Sequence, residues 1–175
     1  MIIQVHLTNE ITELKAAHKH LFGDDKPIIT FCSGSFDLLH PGHVWFLERA
    51  KRIITPSFLF VAVGSNAVIA YRKPGRPIVD ETARLKMINS LSVVDFCYLD
   101  TISTPRMPLA GVEYAFMNLK PDVYVVENDA FEIAARHALC EAYNVKFHVL
   151  NKSESEFPKM STTAIIEKIC ERQKK

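Results

Sequence analysis

The sequence predicts an α/β domain: a single doubly wound parallel sheet with helices on both faces. Short apolar runs of strand length alternate with amphipathic stretches from residue 28 onward. One of these runs, "SFLFVAVG" at 57–64, is apolar almost throughout, as a strand covered on both faces is. The chain has 175 residues, 48% of them hydrophobic, which suits one full core and leaves little for a second domain. The domain is therefore expected to span 1–175, with 1–26 a helical N-terminal extension and 27–175 the α/β core.

Each element has its own signal. "NEITELKAAHKHLFG" reads as an amphipathic helix ended by Gly23. Residues 28–33 read as the first strand. "PGHVWFLERAKRI" follows as a helix with Val44, Phe46, Leu47, Ala50 and Ile53 on one broad face, and Pro41 suits its first turn. After the 57–64 strand the Gly/Pro-rich "RKPGRP" is a loop. "DETARLKMINSL" is a helix with Asp80 as N-cap and Leu85, Ile88 and Leu91 as its inner stripe. "VVDFCYL" and "DVYVVE" are strands separated by a helix between Pro108 and Lys120. A helix over 131–143 leads to the strand "KFHVL", and a closing helix begins near Ser161.

Several classes are disfavoured by composition. A net charge of +1 gives no broad footprint for nucleic acid or for a membrane surface. No apolar run reaches bilayer length, and "MIIQVHLTNEITELK" is no signal peptide, so a cytoplasmic protein is expected. Cys32, Cys97, Cys140 and Cys170 stand far apart without metal-ligand spacing and read as free thiols. His6, His18, His20, His137 and His148 read as ordinary surface or core residues.

The exception is "SGSFDLLHPGH", residues 33–43. It lies at the end of the first strand, where open α/β sheets bind ligands, and it opens a helix. A zinc site from His40 and His43 is a weak reading, because HxxH lacks a cysteine or carboxylate at ligand spacing. A phosphate cradle fits better. Gly34 and Gly42 let backbone approach a ligand, first-turn amides favour anions, and two imidazoles add donors that become cationic near neutral pH.

The stretch resembles the GxFDxxHxGH motif of the cytidylyltransferase-like nucleotidyltransferases, with Gly34, Phe36, Asp37, His40, Gly42 and His43 in place. "KPGRPIVDETAR" resembles the family's basic loop and following helix, and "MSTTAIIEKI" its Ser/Thr-rich helix start. The resemblance runs from about residue 28 to about residue 169 and is nearest to the adenylyltransferase domain of ADP-heptose synthases. It implies a Rossmann-like fold and attack by an acceptor phosphate on the α-phosphate of a nucleoside triphosphate, with pyrophosphate leaving. No protein nucleophile is needed, so catalysis is positioning and charge stabilisation.

Carried over residue by residue, the resemblance gives His40, His43 and Lys73 catalytic roles, with Arg72 an equal alternative to Lys73. It gives Ser35, Phe36, Asp37, Gly42, Arg76, Arg84, Ser161, Thr162 and Thr163 to nucleotide binding. Mg²⁺ is expected to arrive with the triphosphate, with no protein metal site, and a homodimer is expected. Two departures stand out. Val126, Glu127, Asn128, Asp129 and Ala130 replace Lys-Gly-Gly-Asp-Tyr, and Ser92 stands where the family often has arginine. Both are expected to remove positive charge or flexibility near the nucleotide pocket. Three functions follow: adenylylation of a sugar 1-phosphate such as heptose 1-phosphate, cytidylylation of a polyol, choline or ethanolamine phosphate, or nucleotide binding without turnover.

Overall fold

The computed structural model describes residues 28–157 and 160–173. The N-terminal helix expected before residue 27 lies outside the described residues. Five strands form one sheet: β1 (Ile29–Gly34), β2 (Phe58–Gly64), β3 (Phe96–Asp100), β4 (Val123–Glu127) and β5 (Lys146–Leu150). Every pairing is parallel and the order is β3-β2-β1-β4-β5. Strand order reverses between β1 and β4, so the crevice at their carboxyl ends is the switch point at which such sheets bind ligands.

The helices are α1 (Pro41–Lys51), α2 (Asn66–Arg72), α3 (Glu81–Asn89), α4 (Ala110–Leu119), α5 (Ile133–Ala142) and α6 (Thr162–Gln173). The period of two along each strand sends alternate side chains to opposite faces. On one face Phe31, Phe60, Tyr124 and Phe96 pack with Val112, Phe116 and Cys140 of α4 and α5. On the other, Cys32, Leu59, Val61 and Val63 pack with Phe46, Leu47 and Ile88 of α1 and α3. The doubly wound fold is thus as the sequence predicts.

Three details differ. Helix α2 was not anticipated: at seven residues, with Val68 and Ile69 its buried pair, it is too short to show a helical period. Strand β3 starts at Phe96, because Val93 and Val94 turn against the core before the ladder begins. Asp80 does cap α3, its side chain accepting the Thr82 amide, yet the residue most buried on that helix besides Ile88 is Arg84.

At the amino edge of the sheet two aspartates repeat one arrangement. The Asp95 amide donates to the Leu59 carbonyl (3.2 Å), and its carboxylate accepts the Leu59 amide (2.6 Å). The Asp122 amide donates to the Ile29 carbonyl (2.9 Å), and its carboxylate accepts the Ile29 amide (2.8 Å). Each fixes the register of a strand entry, and Asp95 also holds Lys51 at the end of α1. All four cysteines are free, and burial pushes the thiols of Cys97 and Cys140 up to about 12, which leaves them unreactive. No described helix is long and apolar enough to cross a membrane.

Asp95→Ala strands the buried Leu59 amide, and we expect it to cost about 2 kcal/mol in urea unfolding.

Candidate active site

A cavity of about 350 Å³ opens at the carboxyl edge of the sheet. Its floor is the ends of β1, β2 and β4, and its walls come from the starts of α1 and α6, the end of α2, and the turns after β4 and β5. His40, His43, Ser35, Phe36, Lys73, Ser161, Thr162 and Thr163 all line it, as does Arg72. Residues up to 130 positions apart in sequence therefore share one space, roughly as the motifs imply.

The turn from β1 to α1 sets the histidines. Phe36 and Leu38 both hold φ near the left-handed region, at 49° and 47°, a conformation costing such residues on the order of 1 kcal/mol each. This folds the Phe36 ring back against β1. A Cβ on Gly34 would lie 2.9 Å from that ring, so the space over Gly34 is filled by Phe36 and not by a ligand, as the sequence reading had it. Phe36 in turn meets the edge of the His43 ring at 5.5 Å. His40 stands at the N-cap of α1, and a Cβ on Gly42 would lie 3.0 Å from its ring and 3.3 Å from the Met160 carbonyl. Gly42 is what lets the start of α1, the His40 ring and the approach to α6 come together.

The two imidazoles stack with centroids 3.8 Å apart. Their Nδ1 atoms are buried without a hydrogen-bond partner among the described residues. Burial pulls the His43 pKa down to about 3, helped by the His40 and Lys152 charges. Burial and Lys152 lower His40 as well. Both rings are therefore neutral at pH 7, a correction to the expectation of near-neutral titration; an anion placed beside them would favour the charged form. The amides of His43 and Val44 donate to the His40 carbonyl, so Gly42 supplies the first-turn amide that α1 leaves open.

Other predicted residues hold the site together without lining it. Asp37 is buried, and its carboxylate accepts the Ile78 and Val79 amides (3.0 and 2.9 Å) and the Arg76 guanidinium (3.4 Å). Burial alone would raise its pKa, but those three donors outweigh it and hold the carboxyl below its usual value. The Asp37 carbonyl accepts the Thr162 hydroxyl at 2.6 Å. Arg76 also reaches Thr163 Oγ1 at 3.4 Å, and Ser161 caps α6 by accepting the Ala164 amide. Arg84 is fully buried, donating to the carbonyls of Val79 and Ser35 and to Asn66 Oδ1. The structure thus uses Arg84 as a tie between β1, α2 and the loop before α3, set back from the cavity.

Phe131, Arg136, Lys152 and Asp100 are among the lining residues that carry no motif. Arg136 had a faint signal, since it sits four residues before Cys140 on the inner face of α5. Lys152 follows β5 and bridges Glu127 (3.3 Å), which stands in place of a glycine of the family's turn, and Asp129 (2.7 Å), which matches its aspartate. Burial raises Glu127, whereas for Lys152 the two carboxylates outweigh burial and raise it too. The β4 turn is thus not stripped of positive charge, because Lys152 brings one from the next strand. Ser92 is exposed in the turn entering β3, at the opposite edge of the sheet, so its change does not touch the pocket.

A parallel sheet with an anion-ready crevice at its switch point, two stacked histidines at one helix start and hydroxyls at another defines a phosphate-handling α/β enzyme. The Cytidylyltransferase-like family model matches residues 31–168, and the chain belongs to that family of nucleotidyltransferases. It is 34% identical over 141 residues to the FAD synthase of Methanosarcina barkeri, covering 80% of this chain and 94% of that one. It is 37% identical over 143 residues to the bifunctional protein HldE of Pseudomonas fluorescens, covering 81% of this chain and 27% of HldE. A crystal structure of the lipopolysaccharide core biosynthesis protein from Thermoplasma volcanium superposes with a TM-score of 0.55 at 26% identity, over 71% of this chain and 95% of that one. The pantoate-beta-alanine ligase of Francisella tularensis shares the fold, with a TM-score of 0.59 at 14% identity over 93% of this chain and 76% of its own.

Arg84→Ala removes a fully buried side chain and leaves three half-buried acceptors without their donor, and we expect a loss of about 3 kcal/mol in urea unfolding. Stability also responds to acid. Between its ordinary 6.5 and about 3, the unfolded chain binds a proton at His43 that the folded chain refuses, so stability falls as pH drops through that window. Urea midpoints at about pH 7.5 and about pH 5 should differ less for His43→Gln than for the parent. Glu127 acts with the opposite sign but is common to both proteins and cancels.

Proposed function

We propose that the chain transfers adenylate from a Mg²⁺-bound ATP to a small phosphorylated acceptor, a sugar 1-phosphate of the heptose kind. An acceptor phosphate oxygen attacks the α-phosphorus, the bond from that phosphorus to the α–β bridging oxygen breaks, and pyrophosphate departs with the electron pair. The observation that carries this reading is the stacked His40–His43 pair facing the Ser161–Thr163 helix start across one cavity.

Each neutral imidazole donates one N–H to phosphoryl oxygen and gains basicity as charge builds there, which stabilises the transition state more than the ground state. The Thr163 hydroxyl, the first-turn amides of α6 and the Gly42 amide add neutral donors around the polyphosphate, the Thr162 hydroxyl being held by the Asp37 carbonyl. Lys73, exposed at the end of α2, extends a mobile cation over the mouth. Mg²⁺ supplies charge neutralisation when bound. Among the described residues no three histidine, cysteine or carboxylate side chains converge, a donor set that fits a cation held by substrate phosphates better than a protein cage.

A second reading has its own support. The match to the M. barkeri FAD synthase runs over 94% of that protein, and FAD is adenylate joined to the phosphate of a flavin mononucleotide. A pyrophosphate-release assay that crosses ATP and CTP with heptose 1-phosphate, flavin mononucleotide and choline phosphate separates the readings. Turnover with ATP and the sugar phosphate supports the first, and turnover with ATP and the flavin phosphate supports the second. Turnover with CTP alone overturns both. In the active pair, His43→Ala should lower kcat by about 10²-fold with the fold intact; near-normal turnover would remove His43 from the chemistry.

A further inference from the structure

The cavity holds two arginines whose charges nothing else in it answers. Arg136 is 8% exposed. Its Nε donates to the Phe131 carbonyl at 2.6 Å, and its Nη1 donates to Ser33 Oγ at 3.0 Å and to the Tyr124 hydroxyl. All of these partners are neutral, and Nη2 takes none among the described residues. Arg72 arrives from the opposite side, at the end of α2, with Cζ 3.3 Å from the centroid of the Phe131 ring. Neither guanidinium forms an ion pair among the described residues.

Acidic side chains nearby are engaged elsewhere. Glu127 and Asp129 hold Lys152, and Asp100 accepts the amides of Ile102 and Ser103. Glu132 favours the charged form of Arg72, but burial and the Arg136 charge prevail and lower its pKa. Two like charges brought to one aromatic residue in a half-buried site repel unless an anion lies between them. The Nη2 of Arg136 and the guanidinium of Arg72 can each donate to a phosphate oxygen, and a dianion neutralises both cations where a carboxylate would leave one unmatched.

We infer that Arg72 and Arg136 form a subsite for the acceptor's phosphomonoester dianion, beside the histidine cradle in the same cavity and bounded by Phe131. This deepens the nucleotidyltransferase reading and rests on it. The subsite selects acceptors that bring a terminal phosphate over those that bring a carboxylate, and it leaves the rest of the acceptor to the outer cavity.

The test uses the full chain saturated with Mg²⁺ and α,β-methylene-ATP, which binds without transferring. Inorganic phosphate is titrated calorimetrically, with acetate as the singly charged control. Phosphate should bind the parent and acetate should not. Arg72→Gln and Arg136→Lys should each weaken phosphate by about 10-fold or more while moving nucleotide affinity by less than about 2-fold. If Arg136→Lys unfolds, the exposed Arg72→Gln carries the comparison alone. Unchanged phosphate binding in Arg72→Gln overturns the inference, and so does loss of nucleotide in step with phosphate, which would give these arginines to the triphosphate. If the parent binds no nucleotide, the transferase reading falls instead, and phosphate titrated into the free chain still reads the arginine pair.

Discussion

The site depends on one buried carboxylate. Asp37 sits in the turn between β1 and α1, and its side chain gathers two backbone amides and Arg76 from the segment before α3, while its carbonyl takes the Thr162 hydroxyl from α6. An ionised carboxylate out of water is costly unless donors replace its hydration, and here the donors come from segments more than 38 positions away in sequence. Satisfying that charge, together with the carbonyl's bond to Thr162, thus brings three otherwise separate pieces of chain together. Arg84 does the reciprocal work as a buried cation among carbonyl oxygens, holding the Ser35 end of the same turn. With the turn fixed from both ends, the strained Phe36 has no alternative packing, and the histidines are placed as a consequence.

Much of this was legible in the sequence, for reasons that differ by element. Strands β1 and β2 are long, apolar and bounded by turns, so pattern alone locates them. His40 and His43 were legible because the phosphate chemistry demands those residue types beside a glycine at a helix start. Arg84 reads as an outer-face residue on an amphipathic helix, and only the tertiary position of the Ser35 and Val79 carbonyls makes it a core residue. Lys152 and Arg136 escaped because each is a lone basic residue without spacing to a partner. Their roles come from the ends of β4 and β5 lying side by side, a fact of topology.

The departures at 126–130 show how charge is redistributed in such a fold. The turn after β4 carries Val126 and Glu127 where a lysine and a glycine are usual in the heptose group, and keeps the aspartate as Asp129, so the turn itself is acidic. Lys152 covers both acids from the neighbouring strand. The cationic side chains in the cavity, Arg72, Lys73, Arg136 and Lys152, surround a centre of uncharged imidazoles. Arg72 and Lys73 carry charge on the exposed side and Arg136 and Lys152 carry it deeper in, while the imidazoles are neutral.

Two imidazoles in face contact form a single proton-binding unit. At 3.8 Å the first proton taken up makes the second far harder to add, and burial already keeps both rings unprotonated near neutral pH. An anion seated against the pair favours its charged form, so anion binding and proton uptake are linked there. The macroscopic constant such linkage exposes belongs to neither ring. Substituting one histidine does not simply halve the unit: it leaves a neighbour whose burial still disfavours the charged form.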